Sequence, residues 1–171
     1  MTGSEARPLN PAVWLGAPML ICATASLVFA LPIRVLGFML PEPVFALVPA
    51  FAWAVIRPSI LPPIALTVLG LFLDLLWGGP LGVWPLCLLS AYGPVLVIRP
   101  ALSGQEAWVM WLLYAAVAAF ALLVGLGVTT LRAGGAPGLM GVFWQWLASA
   151  ALFPFARRLI ARYEDADVRF R

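Results

Sequence analysis

The segment GLFLDLLWGGPLG, residues 70–82, places one carboxylate, Asp74, inside an otherwise apolar stretch. The break at Gly78, Gly79 and Pro80 that follows predicts a very tight turn between two apolar segments. An acid one helical turn before such a break has two interpretations. It either fixes helix packing and the turn, or it belongs to an ion or proton pathway.

The composition around this segment is that of a membrane protein. Of the 171 residues, 64% are hydrophobic and 10% are charged, whereas soluble domains are roughly half apolar and about a quarter charged. Ten basic and seven acidic side chains are too few to cover the surface of a soluble domain of this size. We therefore predict an all-α integral membrane protein.

Apolar runs separated by proline, glycine and arginine predict six transmembrane helices. The second run is short, so we expect it to extend into its proline-rich flanks or to be shielded by neighbouring helices. The predicted organisation is an N-terminal arm (1–12), a transmembrane domain (13–156) with spans at 13–31, 44–56, 60–77, 81–98, 107–131 and 139–156, and a basic tail (157–171).

The arginines set the expected orientation. Six spans put both termini on one side, and cytoplasmic termini place eight of the ten arginines inside, with Arg34 and Arg132 outside. This distribution satisfies the positive-inside rule and explains the basic charge better than nucleic-acid binding does. We interpret three tail arginines as membrane anchors, with binding of anionic lipid headgroups as the alternative: Arg157, Arg158 and Arg162.

Several kinds of chemistry lack their usual residues. The sequence has no histidine, which removes imidazole as a general base or metal ligand. It also has no phosphate-binding loop and no paired carboxylates within a span. Cys22 and Cys87 are interpreted as buried small hydrophobic residues. We predict that the protein is not an enzyme and uses no metal or cofactor, and a membrane enzyme acting on lipid has the least support.

One face of the third predicted helix carries small and polar residues. Thr67, Gly70, Asp74 and Gly78 follow the spacing i, i+3, i+7, i+11 and lie on one stripe. Such a stripe lets another backbone approach closely and allows hydrogen bonds between helices. The spans offer few polar groups for a proton relay, so packing is favoured over transport for Asp74. Two further polar side chains are candidates for packing contacts: Tyr92 and Gln145.

Four stretches of the sequence are similar to those of a known family: AWAVIRPS (52–59), GLFLDLLWGGPLG (70–82), LLSAYGPVL (88–96) and LFPFARRLIARY (152–163). With the size and the predicted topology, they resemble the bacterial rod shape-determining MreD family over residues 41–163. The glycine-glycine-proline turn looks like that of alphaproteobacterial members. The hallmark positions that match are Gly70, Asp74, Gly78, Pro80 and Gly82. We interpret these five residues, together with Thr67 and Gly79, as packing and turn residues and as a candidate contact with a partner.

The resemblance implies a non-enzymatic inner-membrane component of the cell-elongation complex, which supports cell shape and lateral peptidoglycan synthesis. It implies association with MreC, and through MreC with MreB, RodA and a class B penicillin-binding transpeptidase. It also implies a fold like that of the substrate-binding subunits of energy-coupling-factor vitamin transporters, and no catalytic residues. A vitamin-transporter subunit is itself the alternative function. That alternative requires a polar ligand pocket near the outer leaflet, for which this sequence has few candidates.

Overall fold

The computed structural model describes residues 12–30, 34–35, 38–39, 42–56, 59–102, 104–133 and 138–168. These residues are almost entirely helical, which agrees with the all-α prediction. Two two-residue strands, β1 (Arg34–Val35) and β2 (Phe38–Met39), pair in antiparallel fashion. The helices are α1 (Ala17–Phe29), α2 (Leu47–Ile56), α3 (Leu61–Trp77), α4 (Val83–Ile98), α5 (Ala107–Ala133), α6 (Leu139–Ala150) and α7 (Phe153–Val168).

Three helical segments of the described chain are long and apolar enough to cross a membrane. They are Val83–Leu102, Ala107–Arg132 and Leu139–Arg162. The first joins α4 to the 3-10 turn that follows it, and the last joins α6 to α7. Their length and composition are those of a membrane protein. The remaining apolar helices are shorter, at Trp14–Phe29, Leu47–Ile56 and Leu61–Trp77, so three of the six predicted spans reach bilayer length unaided.

Helix α2 is short because it is surrounded by protein. Ten residues span only about 15 Å, but every residue from Leu47 to Ala54 is buried. The helix packs against α4 and α7. The short π-helix Ala12–Gly16, which leads directly into α1, covers it as well. The Trp53 indole N–H donates to the carbonyl of Trp14 at 3.3 Å, and the two rings meet edge to face. Neighbouring helices therefore shield α2, and it does not need the length of a lipid-facing span.

The last predicted span contains a break that its hydropathy did not signal. Helix α6 ends at Ala150 and α7 begins at Phe153. Pro154 lies in the first turn of α7, where a missing backbone N–H costs nothing. Helix α7 continues to Val168, so most of the predicted basic tail (157–171) is helical. Ala156 and Ile160 are buried, and α7 packs against α2.

Helices α4 and α5 approach closely at Gly125. A Cβ atom on Gly125 would lie 2.7 Å from Sγ of Cys87. We expect Gly125→Ala to be less stable than Gly127→Ala, because Gly127 has no atom within 4 Å of an added Cβ. Adding Cys87→Ala to Gly125→Ala will restore the space, with a coupling energy of about 1 kcal/mol in a double-mutant cycle.

The cycle is measured from unfolding curves of the four variants in mixed detergent–SDS micelles, followed by tryptophan fluorescence. Additive effects of Cys87→Ala and Gly125→Ala would contradict direct contact between these two positions.

Candidate functional site

The candidate site is the hairpin that joins α3 to α4, and it begins with the end of α3. Gly78 has a left-handed backbone with φ of 63°, a conformation that glycine adopts without the strain a side chain would bring. The backbone N–H groups of Gly78 and Gly79 both donate to the carbonyl of Asp74, with a distance of 3.1 Å for Gly79. The left-handed backbone of Gly78 ends α3 directly after Trp77, and the Gly79 bond, from five residues on, caps that end.

The Asp74 side chain then caps the start of α4. Its Oδ2 accepts the backbone N–H of Gly82 at 2.6 Å, and its Oδ1 accepts the N–H of Trp84 at 3.0 Å. Both N–H groups belong to the first turn of a helix, where no carbonyl of the same helix can reach them. Gly82 has φ of 94°, which directs the chain into α4. Asp74 thus caps the end of α3 with its backbone carbonyl and the start of α4 with its side chain.

Burial gives this cap its energetic importance. Asp74 is 0% exposed, and a buried polar group is costly unless it is hydrogen-bonded. Its two oxygens meet this requirement with the two amides, and the positive end of the α4 dipole lies beside them. The carboxylate thus bonds to two amides at the end of the turn and the start of α4 that follow it.

The backbones of α3 and α4 touch at Gly70. A Cβ atom there would lie 2.4 Å from the backbone nitrogen of Pro85 and 2.6 Å from its Cα. Gly70 is one turn before Asp74 on the same face of α3. The close approach and the cap therefore form one unit that fixes how α3 and α4 pack.

Aromatic and basic side chains surround the turn. The rings of Trp77 and Trp84 lie 4.6 Å apart between centroids. Arg132, near the end of α5, donates from Nη1 to the carbonyl of Leu81 at 3.2 Å. The hairpin is thus tied to the end of α5 as well as to its own two helices.

Not every predicted packing and turn residue joins this unit. Thr67 donates its hydroxyl to the carbonyl of Pro63 in its own helix at 2.8 Å, and Pro80 is exposed on the turn. The structure brings together Gly70, Asp74, Gly78, Gly79 and Gly82.

The other predicted polar residues lie elsewhere. Tyr92 is buried in α4, and its hydroxyl has no hydrogen-bond partner among the described residues. Gln145 is half-buried in α6, and its backbone carbonyl accepts the Ser149 hydroxyl at 2.7 Å. Three arginines are exposed on α7: Arg157, Arg158 and Arg162.

A relay leading away from Asp74 is not present in the described part of the chain. Four hydroxyl groups within helices each donate to a backbone carbonyl of their own helix, three or four residues earlier; they belong to Thr24, Thr67, Ser90 and Thr129. No cluster of three or more histidine, cysteine, aspartate or glutamate residues suited to a metal occurs among the residues that the structure describes. The hydrogen bonds that Asp74 does make are those that the packing interpretation requires.

Two important polar residues were missed by sequence reasoning. Ser149 is fully buried, and its hydroxyl accepts the N–H of Val44, a contact 105 residues apart in sequence. Arg99 donates from Nε to the carbonyl of Val55 at 2.7 Å and from Nη2 to that of Ile56 at 3.0 Å. It therefore caps the end of α2. The Arg99-Pro100 pair marked a helix end in the sequence, but nothing in the sequence pointed to the partner helix.

Comparison with known proteins adds no assignment. No family model matches the chain, and neither a curated protein nor a solved structure matches it.

Proposed function

We propose that this chain is a non-enzymatic inner-membrane component of the bacterial cell-elongation complex, of the MreD kind. The observation that carries the proposal is the Asp74 cap. The residues behind the family resemblance, Gly70, Asp74, Gly78 and Gly82, work together to fix a helical hairpin. Such a unit suits a protein that holds partners by the shape of its helix surfaces.

The proposal includes six membrane crossings: α1, α2, α3, α4, α5, and α6 continued by α7. Two contacts support the proposed orientation. Arg99 binds the end of α2, so it lies at the same end of the bundle as Ile56, whereas Arg132 binds the hairpin turn at Leu81. The charge count assigned these two arginines to opposite sides of the membrane, with Arg99 cytoplasmic. We further propose that the bundle is similar to the substrate-binding subunits of energy-coupling-factor transporters.

The proposed direct partner is MreC, and through it MreB, RodA and a class B penicillin-binding transpeptidase. Large apolar side chains are exposed along α6 and provide a surface for lipid or for a partner helix. Such contacts in a membrane depend on close packing and on helix surfaces of fixed shape. The α6 residues with this exposure are Leu139, Met140, Phe143, Trp144 and Leu147.

The vitamin-transporter alternative requires a polar pocket near the outer leaflet. At the α3–α4 turn, which the charge count places outward, Asp74 is fully buried and its two oxygens bond to backbone amides. Because the side chain is fully buried, the carboxylate offers no exposed face to a ligand. The geometry of the hairpin therefore supports the scaffold over the transporter subunit.

Controlled depletion of the protein in the bacterium that encodes it tests the proposal. We expect depleted cells to lose their rod shape and become wider and round, and a wild-type copy to restore the rod. Depleted cells that keep a normal width but require an added vitamin for growth would contradict the proposal and indicate the transporter subunit.

A further inference from the structure

A half-open groove runs between α1, α2 and α7. It encloses about 350 Å³. Most of its wall is apolar, including Pro18 and Ile21 of α1, Val48 of α2 and Phe155 of α7. Ile21 is 66% exposed and Phe155 is 57% exposed. A ligand that fits this wall must be apolar along much of its length.

Two cations line the same groove. Arg158 and Arg162 are four residues apart on α7 and lie on one face of that helix. The Arg158 guanidinium carbon is 6.0 Å from the centre of the Phe155 ring, so one charge lies directly against the apolar wall. Arg157, the neighbouring arginine, does not line the groove. The groove thus combines an apolar surface with a pair of positive charges.

The charges lie toward one end of the groove. Helices α1 and α2 run in opposite directions, because Cys22 bonds to the carbonyl of Phe45 while the carbonyl of Trp14 accepts the indole of Trp53. Helix α7 starts near Val44, which bonds to Ser149, and packs along α2. Arg162 therefore lies farther toward the Trp14 and Ile56 end than Phe155 does. This is also the end that Arg99 caps.

We propose that this groove binds one anionic phospholipid from the leaflet on the arginine-rich side. The phosphate of the lipid lies between Arg158 and Arg162, since each guanidinium group can donate two parallel hydrogen bonds to phosphate oxygens. One acyl chain lies along Ile21, Val48 and Phe155. A free phosphate ion has the same charge but gains nothing from the apolar wall. The site goes beyond the proposed function, because a scaffold and a transporter subunit would both accommodate it.

Native mass spectrometry of the purified full-length protein tests the proposal. The protein is titrated with palmitoyl-oleoyl phosphatidylglycerol and, separately, with phosphatidylcholine of the same chains. We expect about thirtyfold tighter binding of phosphatidylglycerol, the size of effect that two arginines near a membrane surface produce at about 1 kcal/mol each. The double variant Arg158→Gln/Arg162→Gln will lose this preference. Arg157→Gln, which removes one positive charge next to the groove but not in it, will keep it.

A second variant tests the apolar wall. Ile21→Trp places a larger side chain in the groove at a well-exposed position, so the fold is retained and binding of both lipids is expected to fall several-fold. Equal binding of the two lipids by the wild type would overturn the proposal. So would a preference that survives the double variant, or displacement of phosphatidylglycerol by millimolar inorganic phosphate, which would indicate a simple anion site. None of these results depends on whether MreC is a partner.

Discussion

Asp74→Ala is expected to lower the free energy of unfolding by about 2–4 kcal/mol. The substitution leaves the N–H groups of Gly82 and Trp84 without their acceptors at the partly buried start of α4. A hydrogen bond to a charged group contributes about 1.5–3 kcal/mol, and partial exposure of the two donors lowers the loss. Asp74→Asn keeps one acceptor oxygen and turns an NH₂ group toward the second donor, so its loss will be smaller and the protein will remain inserted in the membrane.

The measurement is SDS-induced unfolding in mixed micelles, followed by the fluorescence of the eight tryptophans. Thr67→Val is the matched control on the same face of α3. Its hydroxyl bonds only to the carbonyl of Pro63 in its own helix, so we expect a change within about 0.5 kcal/mol. An Asp74→Ala variant as stable as the control would show that the cap does not hold the hairpin together.

Gly70→Ala is expected to cost about 1–3 kcal/mol or more, because the added methyl group meets backbone atoms of Pro85. Those atoms cannot rotate away as a side chain would, so α3 and α4 must move apart. That movement also lengthens the bonds from Asp74 to the first turn of α4. The variant therefore loses both the close helix contact and part of the cap.

Gly93→Ala in α4 is the matched control, since an added Cβ there has nothing within 4 Å. In a helix this change alone is worth about 0.5–1 kcal/mol of added stability. The two variants make the same chemical change and are expected to shift the unfolding midpoint in opposite directions. A shift in the same direction for both would show that the α3–α4 contact at Gly70 is looser than described.

The hairpin was the most predictable part of the molecule. The glycines at 78 and 82 and the acid one turn before the break are local signals, and they act within a segment of a few turns. The sequence did not identify the amide partners of Asp74, because those depend on where α4 starts. The close approach of α4 to Gly70 agrees with the stripe of small and polar residues, which the helical spacing of the sequence predicts.

Features that depend on distant contacts were less predictable. The short second run marked α2 as unusual, but its cover by α4 and α7 is set by tertiary packing. The apolar run of α6 continues across Ala151 and Leu152, so hydropathy carried no sign of the break before α7. Likewise, Arg99 appeared as a charge at a helix end, and its bonds to α2 join residues more than 40 positions apart.

The most direct test of the central claim is affinity purification of the tagged, full-length protein from detergent-solubilised membranes of the cells that encode it. The proteins that copurify are identified by mass spectrometry. We predict recovery of MreC, together with RodA or the transpeptidase, and a lower recovery of MreC with Asp74→Asn at an unchanged membrane level. Recovery of a transmembrane coupling subunit with its ATPases, in place of MreC, would contradict the account.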